Sequence, residues 1–192
     1  FYDGKIATEV DDINRIHPIK KFEGKTIVWI DTSMMNGKDE DRLKGGSFCN
    51  YIENTIIKKL LECFKNENVI KDLDIGIITG YRGQKELIRK SVSNGGYDKI
   101  SKKIDINTLD AFQGRENDII IYSTVRTKNS IGFQKEKERV NVAFSRAKDL
   151  LIICGDMDFF YKFDDPDNKF VEIIDYIHEH EDECLIISGG EL

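Results

Sequence analysis

Leu150-Leu151-Ile152-Ile153-Cys154-Gly155 carries four consecutive branched apolar side chains and then a cysteine. A strand with one face in water alternates apolar and polar positions; this one is apolar on both faces, so both must be covered. Ile119-Ile120-Ile121, inside the strand-like run Asp118–Val125, shows the same pattern. Parallel sheets packed between two layers of helices have that requirement. Outward from this pair, apolar and β-branched runs at Thr26–Ile30, Ile75–Thr79, Ile104–Thr108 and Cys184–Ser188 also read as strands. Between them Asn50–Asn66, Gln84–Val92, Lys135–Ala147 and Lys169–His180 place apolar residues at helical spacing. The expected fold is therefore α/β, a three-layer sandwich with a mostly parallel sheet and helices on both faces. Gly- and charge-rich Asn36–Gly46 and Ser93–Lys103 read as loops.

At 192 residues, 40% hydrophobic and 33% charged, the chain can build a sizeable core and is not a disordered segment. No run reaches the length of a membrane span, and Phe1-Tyr2-Asp3-Gly4 is not an apolar signal region. The missing initiator Met predicts a segment of a longer polypeptide. Cys49, Cys63, Cys154 and Cys184 form no Cys-x-x-Cys pair, and His17, His178 and His180 complete no zinc pattern. Cys154 in an apolar strand-like run and Cys63 on an apolar helix face read as reduced core residues of a cytoplasmic protein, and no metal is expected.

The net charge of −6 is unevenly distributed: residues 1–80 carry −2, residues 81–155 carry +6 and residues 156–192 carry −10. The basic middle is either a solvated face or the path of a polyanion. Donor-rich segments follow three of the strands there. They are Gly80-Tyr81-Arg82-Gly83-Gln84, Leu109-Asp110-Ala111-Phe112-Gln113-Gly114-Arg115-Glu116, and Arg126-Thr127-Lys128 with Arg139–Lys148 shortly beyond. Ligands of open α/β sheets sit past the carboxyl ends of the strands, so these groups are expected to converge on one edge. Each also has a plain reading as a turn glycine, a helix stop or a surface cation.

Taken in this order, the segments resemble the second RecA-like domain of superfamily 1 helicases, a P-loop NTPase-type fold. The branch is the one typified by the RNA helicase of nonsense-mediated decay and its DNA-acting relatives. Ile77-Ile78-Thr79-Gly80-Tyr81-Arg82-Gly83-Gln84 is similar to motif IV, with Gly80 where proline is usual. Thr108-Leu109-Asp110-Ala111-Phe112-Gln113-Gly114-Arg115-Glu116 resembles motif V. Val140-Asn141-Val142-Ala143-Phe144-Ser145-Arg146-Ala147-Lys148 resembles motif VI, with Phe-Ser where Leu-Thr is common. Ile131-Gly132-Phe133 and the opening Phe1-Tyr2-Asp3-Gly4-Lys5 fit the same family. The likeness spans residues 1 to about 160. Residues 1–163 are expected to form the RecA-like domain, with 164–192 an acidic helix and strand packed on or following it.

The resemblance implies a division of labour. ATP and magnesium would be held mainly by a first RecA-like domain of the same polypeptide, since no Gly-x-x-x-x-Gly-Lys-Ser/Thr loop occurs here. This chain alone would then bind no nucleotide tightly and hydrolyse none. Arg146 would be the arginine finger, anchored by an apolar helical stripe of Val140, Ala143/Phe144 and Ala147, and Gln113 would relay the state of the ATP site. Gly114 and Glu116 would meet the nucleotide, Glu116 at the ribose. Thr79, Thr108 and Asp110 would serve a single strand of DNA or RNA, in 5′-to-3′ movement. Tyr81 reads either as a base-stacking residue or as a core tyrosine, and Arg126 either as a phosphate contact or as a structural ion pair. Arg139 reads as support for motif VI. Two other readings compete: a non-motor RecA-like module that binds nucleic acid or protein, and a nucleotidase-like enzyme using Asp31-Thr32-Ser33. The same Asp31 also reads as a structural strand end.

Overall fold

The computed structural model describes residues 17–100, 103–112 and 116–192; Gln113, Gly114 and the Phe1–Lys5 opening lie outside them. The expected strands form one six-stranded, all-parallel sheet. In chain order they are β1 (Ile27–Asp31), β4 (Asp74–Thr79), β5 (Lys103–Thr108), β6 (Asn117–Ser123), β7 (Ala147–Gly155) and β8 (Cys184–Ser188). The spatial order is β5-β4-β6-β7-β1-β8. A hairpin of β2 (Asp41–Arg42) and β3 (Phe48–Cys49) stands apart from the sheet. The helices are α1 (Tyr51–Asn66), α2 (Arg82–Asn94), α3 (Tyr97–Ile100), α4 (Lys137–Phe144), α5 (Met157–Lys162) and α6 (Phe170–Glu179).

Alternation along the strands sorts the core into two layers. Ile119, Ile121, Leu150, Ile152 and Cys154 face Ile56, Ile57, Leu60 and Phe64 of α1 and Ile88 of α2. Ile120, Tyr122, Leu151 and Ile153 face Val140 and Ala143 of α4, Phe160 of α5, and Phe170 and Ile174 of α6. Both sheet faces are therefore covered, which is why the central strands need no polar position. The acidic end of the chain belongs to this sheet: β8 pairs with β1 from Ile27↔Cys184 to Asp31↔Ser188.

Two local expectations change. Residues 93–100 are mostly helical, in the end of α2 and in α3, and 36–46 contributes β2 of the hairpin. The helix expected to run to Ala147 stops at Phe144, with Ser145 as its C-cap. Ala147 instead opens β7, paired with Asn117, so Arg146 sits in a turn rather than on a helix. Ala147 fits an apolar helical stripe and a strand start equally well by spacing; the ladder with β6 decides for the strand.

The connections place the functional edge. The chain leaves β4 toward the α1/α2 layer and leaves β5 toward the α4/α6 layer, where Leu109 and Phe112 of a 3-10 turn are buried. Neighbouring strands whose connections diverge leave a crevice beyond their carboxyl ends, the usual ligand position in such sheets.

Candidate nucleotide and nucleic-acid sites

That crevice is a groove of about 700 Å³. Its walls are Gly80, Tyr81 and Arg82 after β4, Thr108–Ala111 after β5, Gly46–Phe48 of the hairpin, and Phe133 and Arg139 from the far side. Arg82 opens α2 and is exposed, without an ion pair among the described residues. Thr108 is half-buried at the end of β5, and Asp110 is exposed beside Arg139, whose Nε lies 3.6 Å from its Oδ1. Arg139 is also tied to Glu136 at 2.7 Å.

Three expected contacts sit differently. Thr79 is fully buried, and its hydroxyl oxygen accepts from the Tyr81 N–H at 3.4 Å instead of facing the groove. Tyr81 is only 4% exposed, its ring set edge-on to Phe48 (5.7 Å) and tilted on Phe133 (5.3 Å). Burial pushes its phenol up, partly opposed by the neighbouring Arg126 guanidinium. It has the surroundings of a core tyrosine. Arg126 is buried as an ion pair with Glu40 (3.4 Å), donates to the Lys128 carbonyl, and lies 4.3 Å over the Phe48 ring. Of its two readings, the structural ion pair is the one this geometry has.

Glu116 and Arg146 lie at the opposite edge. Glu116 immediately precedes β6 and Arg146 immediately precedes β7, at the amino ends of adjacent parallel strands. The Asn117 N–H donates to the Arg146 carbonyl at 3.0 Å and locks the two turns together. The Arg146 Nε is buried without a hydrogen-bond partner, and the side chain makes no ion pair among the described residues. The single convergent edge expected from sequence is thus two edges. The reason is that the strands are parallel, so the chain must come back to the amino ends of β6 and β7 before Glu116 and Arg146 are reached. β6 spans seven residues, roughly 20 Å at the usual strand rise, which separates the groups.

A buried polar lattice is built around Glu53. Asn50 caps α1, its side chain accepting from the Glu53 N–H at 3.0 Å. Asn-x-x-Glu is a capping-box spacing, in which the glutamate would return to the cap's N–H. Here Gln84 from α2 takes that N–H at 2.8 Å. Glu53 instead accepts from Ser123 Oγ (2.5 Å), Thr124 Oγ1 (3.1 Å) and the Val125 N–H (2.9 and 3.0 Å). Val125 has φ +69°, a costly conformation for a β-branched residue, and these bonds hold it there. Gln84 also donates to Ser123 Oγ at 2.9 Å, joining the motif IV helix to the same turn. Burial pushes the Glu53 carboxyl up to about 7, against the lowering effect of its three donors and with the help of nearby Asp156.

Asp31 accepts from the N–H groups of Ser33 (2.9 Å) and Met157 (3.0 Å) and from Ser33 Oγ (2.6 Å). These bonds are those of a strand-end organiser. Among the described residues no three His, Cys, Asp or Glu side chains gather as metal ligands. No described helix is long and apolar enough to cross a membrane.

The family model of an AAA domain matches residues 1–158. The chain belongs to this family. Within it, the chain is a superfamily 1 helicase domain of the Upf1-like branch. It is 35% identical to the ATP-dependent helicase upf1 of Schizosaccharomyces pombe over 165 residues, covering 81% of this chain and 17% of that protein. It is 38% identical to Helicase SEN1 of Saccharomyces cerevisiae over 168 residues, covering 81% and 7%. With the DNA polymerase alpha-associated DNA helicase A of the same yeast it shares 34% over 174 residues, covering 82% and 25%. The chain therefore spans a quarter or less of the length of these relatives.

Sequence reading did not single out Phe133 and Arg82, which line the groove, or the buried Glu53. The Asn50/Glu53 spacing was legible only as a helix cap. Arg82 stood inside the quoted motif IV stretch, and its position at an α/β crevice was the available signal.

Proposed function

We propose that this domain is the second half of an ATP-driven motor acting on single-stranded nucleic acid. A first RecA-like domain of the same polypeptide would supply the phosphate-binding loop and the magnesium carboxylates. The observation that carries the reading is the paired turns of Glu116 and Arg146 at one edge of β6 and β7, with a donor-lined groove at the other.

Phosphoryl transfer spreads negative charge over the γ-phosphate oxygens, and a guanidinium inserted on closure stabilises it. Arg146 suits that task, since it makes no ion pair among the described residues and its backbone is fixed by Asn117. Glu116 offers a carboxylate one turn away for a ribose hydroxyl. Gln113 and Gly114 would complete this edge. ATP would favour the closed pair of domains because Arg146 adds binding only there.

At the other edge Arg82 and Thr108 present a cation and a hydroxyl to phosphates, and the paired Asp110 and Arg139 also line the groove. Such contacts make binding insensitive to sequence and steeply dependent on salt. Motif V joins the two edges: residues 108–111 line the groove and 116 starts the nucleotide edge. That continuity is a physical route by which closure at one site could alter grip at the other. Movement of the strand in the 5′-to-3′ sense is the expectation for this branch.

The test is Arg146→Ala in the full-length protein. Strand-stimulated ATP turnover should fall about a thousandfold or more, the usual worth of an arginine finger, while strand affinity stays within about twofold. Near-normal turnover would remove the assignment. The isolated chain should show no ATP hydrolysis above background; turnover by it alone would refute the division of labour.

A further inference from the structure

We infer that Phe133, and not Tyr81, is the side chain on which a base of the bound strand stacks. The inference rests on the groove being the strand's path, as proposed above. Phe133 is a large aromatic held half-exposed, at 48%, on the groove wall between two buried anchors. On one side Ile131 is fully buried. On the other Gln134 is 1% exposed and donates to the Thr124 carbonyl at 2.8 Å. Gly132 makes the intervening turn at φ +65°, and a Cβ there would fall 1.9 Å from the Tyr81 hydroxyl. Only glycine lets the chain pass Tyr81 this closely and bring Phe133 to the surface.

Behind the exposed ring stands a ladder of ring contacts. Phe133 leans on Tyr81 at 5.3 Å, Tyr81 meets Phe48 at 5.7 Å, and Phe48 lies under the Arg126 guanidinium at 4.3 Å. Arg126 is in turn paired with buried Glu40. Tyr81 is covered and Phe48 is half-buried, so Phe133 is the ladder's most open end and it faces the groove. Gly80 leaves that end uncovered from β4: it has no side chain, and a Cβ there would stand 3.4 Å from Phe133 Cβ. A rigid aromatic face beside the Arg82 cation and the Thr108 hydroxyl matches a nucleotide, whose base is flat and apolar and whose phosphate is anionic. The basic stretch 81–155, net +6, supplies the same sign of attraction.

The experiment measures affinity of the full-length protein for a short single-stranded homopolymer, and for a strand of equal length without bases. Phe133→Ala should weaken binding to the normal strand about tenfold or more and leave binding to the abasic strand unchanged. Phe133→Trp should restore it. The salt dependence of Phe133→Ala should match the parent, since losing a stacking contact changes no phosphate contact. Arg82→Ala should instead weaken both strands and lower the salt slope by about one. An equal loss on both strands, or no loss for Phe133→Ala where Arg82→Ala binds weakly, overturns the stacking role alone. Unchanged binding in both variants overturns the groove as the strand's path, and the stacking role with it.

Discussion

Replacing Glu53 with glutamine should invert the usual outcome of removing a buried, fully bonded charge. The folded chain holds this carboxyl near 7, up from 4.5, chiefly because burial disfavours its ionised form. Between pH 4.5 and 7 the folded chain therefore keeps a proton that the unfolded chain has released. Stability must fall as pH rises through that window and level off above it. At about 1.4 kcal/mol per tenfold change in proton affinity, the ionised group costs roughly 3 kcal/mol at pH 8. Glutamine copies the protonated form at every pH. Its oxygen can still accept from the Val125 N–H, and its amide can donate to the hydroxyls of Ser123 and Thr124, which accept as well as donate. Imperfect replacement of one bond costs about 1 kcal/mol. Urea denaturation of parent and Glu53→Gln side by side at pH 5, 6, 7 and 8 isolates the effect, because every other titrating group is shared. The variant should match the parent to within about 0.5 kcal/mol at pH 5 and be about 2 kcal/mol more stable at pH 8. A stability difference that does not move with pH would refute the reasoning: Glu53 would then be ionised throughout, its donors outweighing its burial.

Arg126→Ala should lower folding stability by about 3–5 kcal/mol, since it strands the buried Glu40 carboxylate; a stable variant that merely binds strand weakly would show a surface role instead. Gly76→Ala should cost about 1–3 kcal/mol in urea denaturation, because its Cβ would fall 2.6 Å from Ile120 Cδ1 and 2.7 Å from Phe112 Cζ. As Phe112 carries motif V, the same variant should also weaken strand-stimulated ATP turnover; a variant with parental stability and turnover would mean that the layer repacks freely.

The sheet was legible because its strands are apolar on both faces, a pattern with few other solutions. Its two-edged arrangement was not. Spacing locates residues along the chain, whereas the return to the amino ends of β6 and β7 is a property of the parallel connections. The end of α4 was misplaced because Ala147 satisfies two periodicities, and only pairing with Asn117 separates them. The β2–β3 hairpin escaped notice because its strands are two residues each; its turn has Gly45 and Gly46 at φ +107° and +89°. Tyr81 and Phe133 illustrate the same limit in the site. Both are aromatics next to glycines, at 81 and 133, and nothing local says which one is covered; the tertiary contact with Phe48 does. Glu53 hid behind its capping-box spacing, because the residue that takes over its usual partner, Gln84, is 31 positions away in sequence.

The separation of a nucleotide edge from a strand edge is tested most directly by ATP turnover as a function of strand concentration, in full-length Arg146→Ala and Arg82→Ala. Arg146→Ala should lose turnover at every strand concentration. Arg82→Ala should approach parental turnover at saturating strand and require several-fold more strand to reach half of it. Loss of turnover at saturation in Arg82→Ala, or a restored maximum in Arg146→Ala at high strand, would contradict the two-edge account.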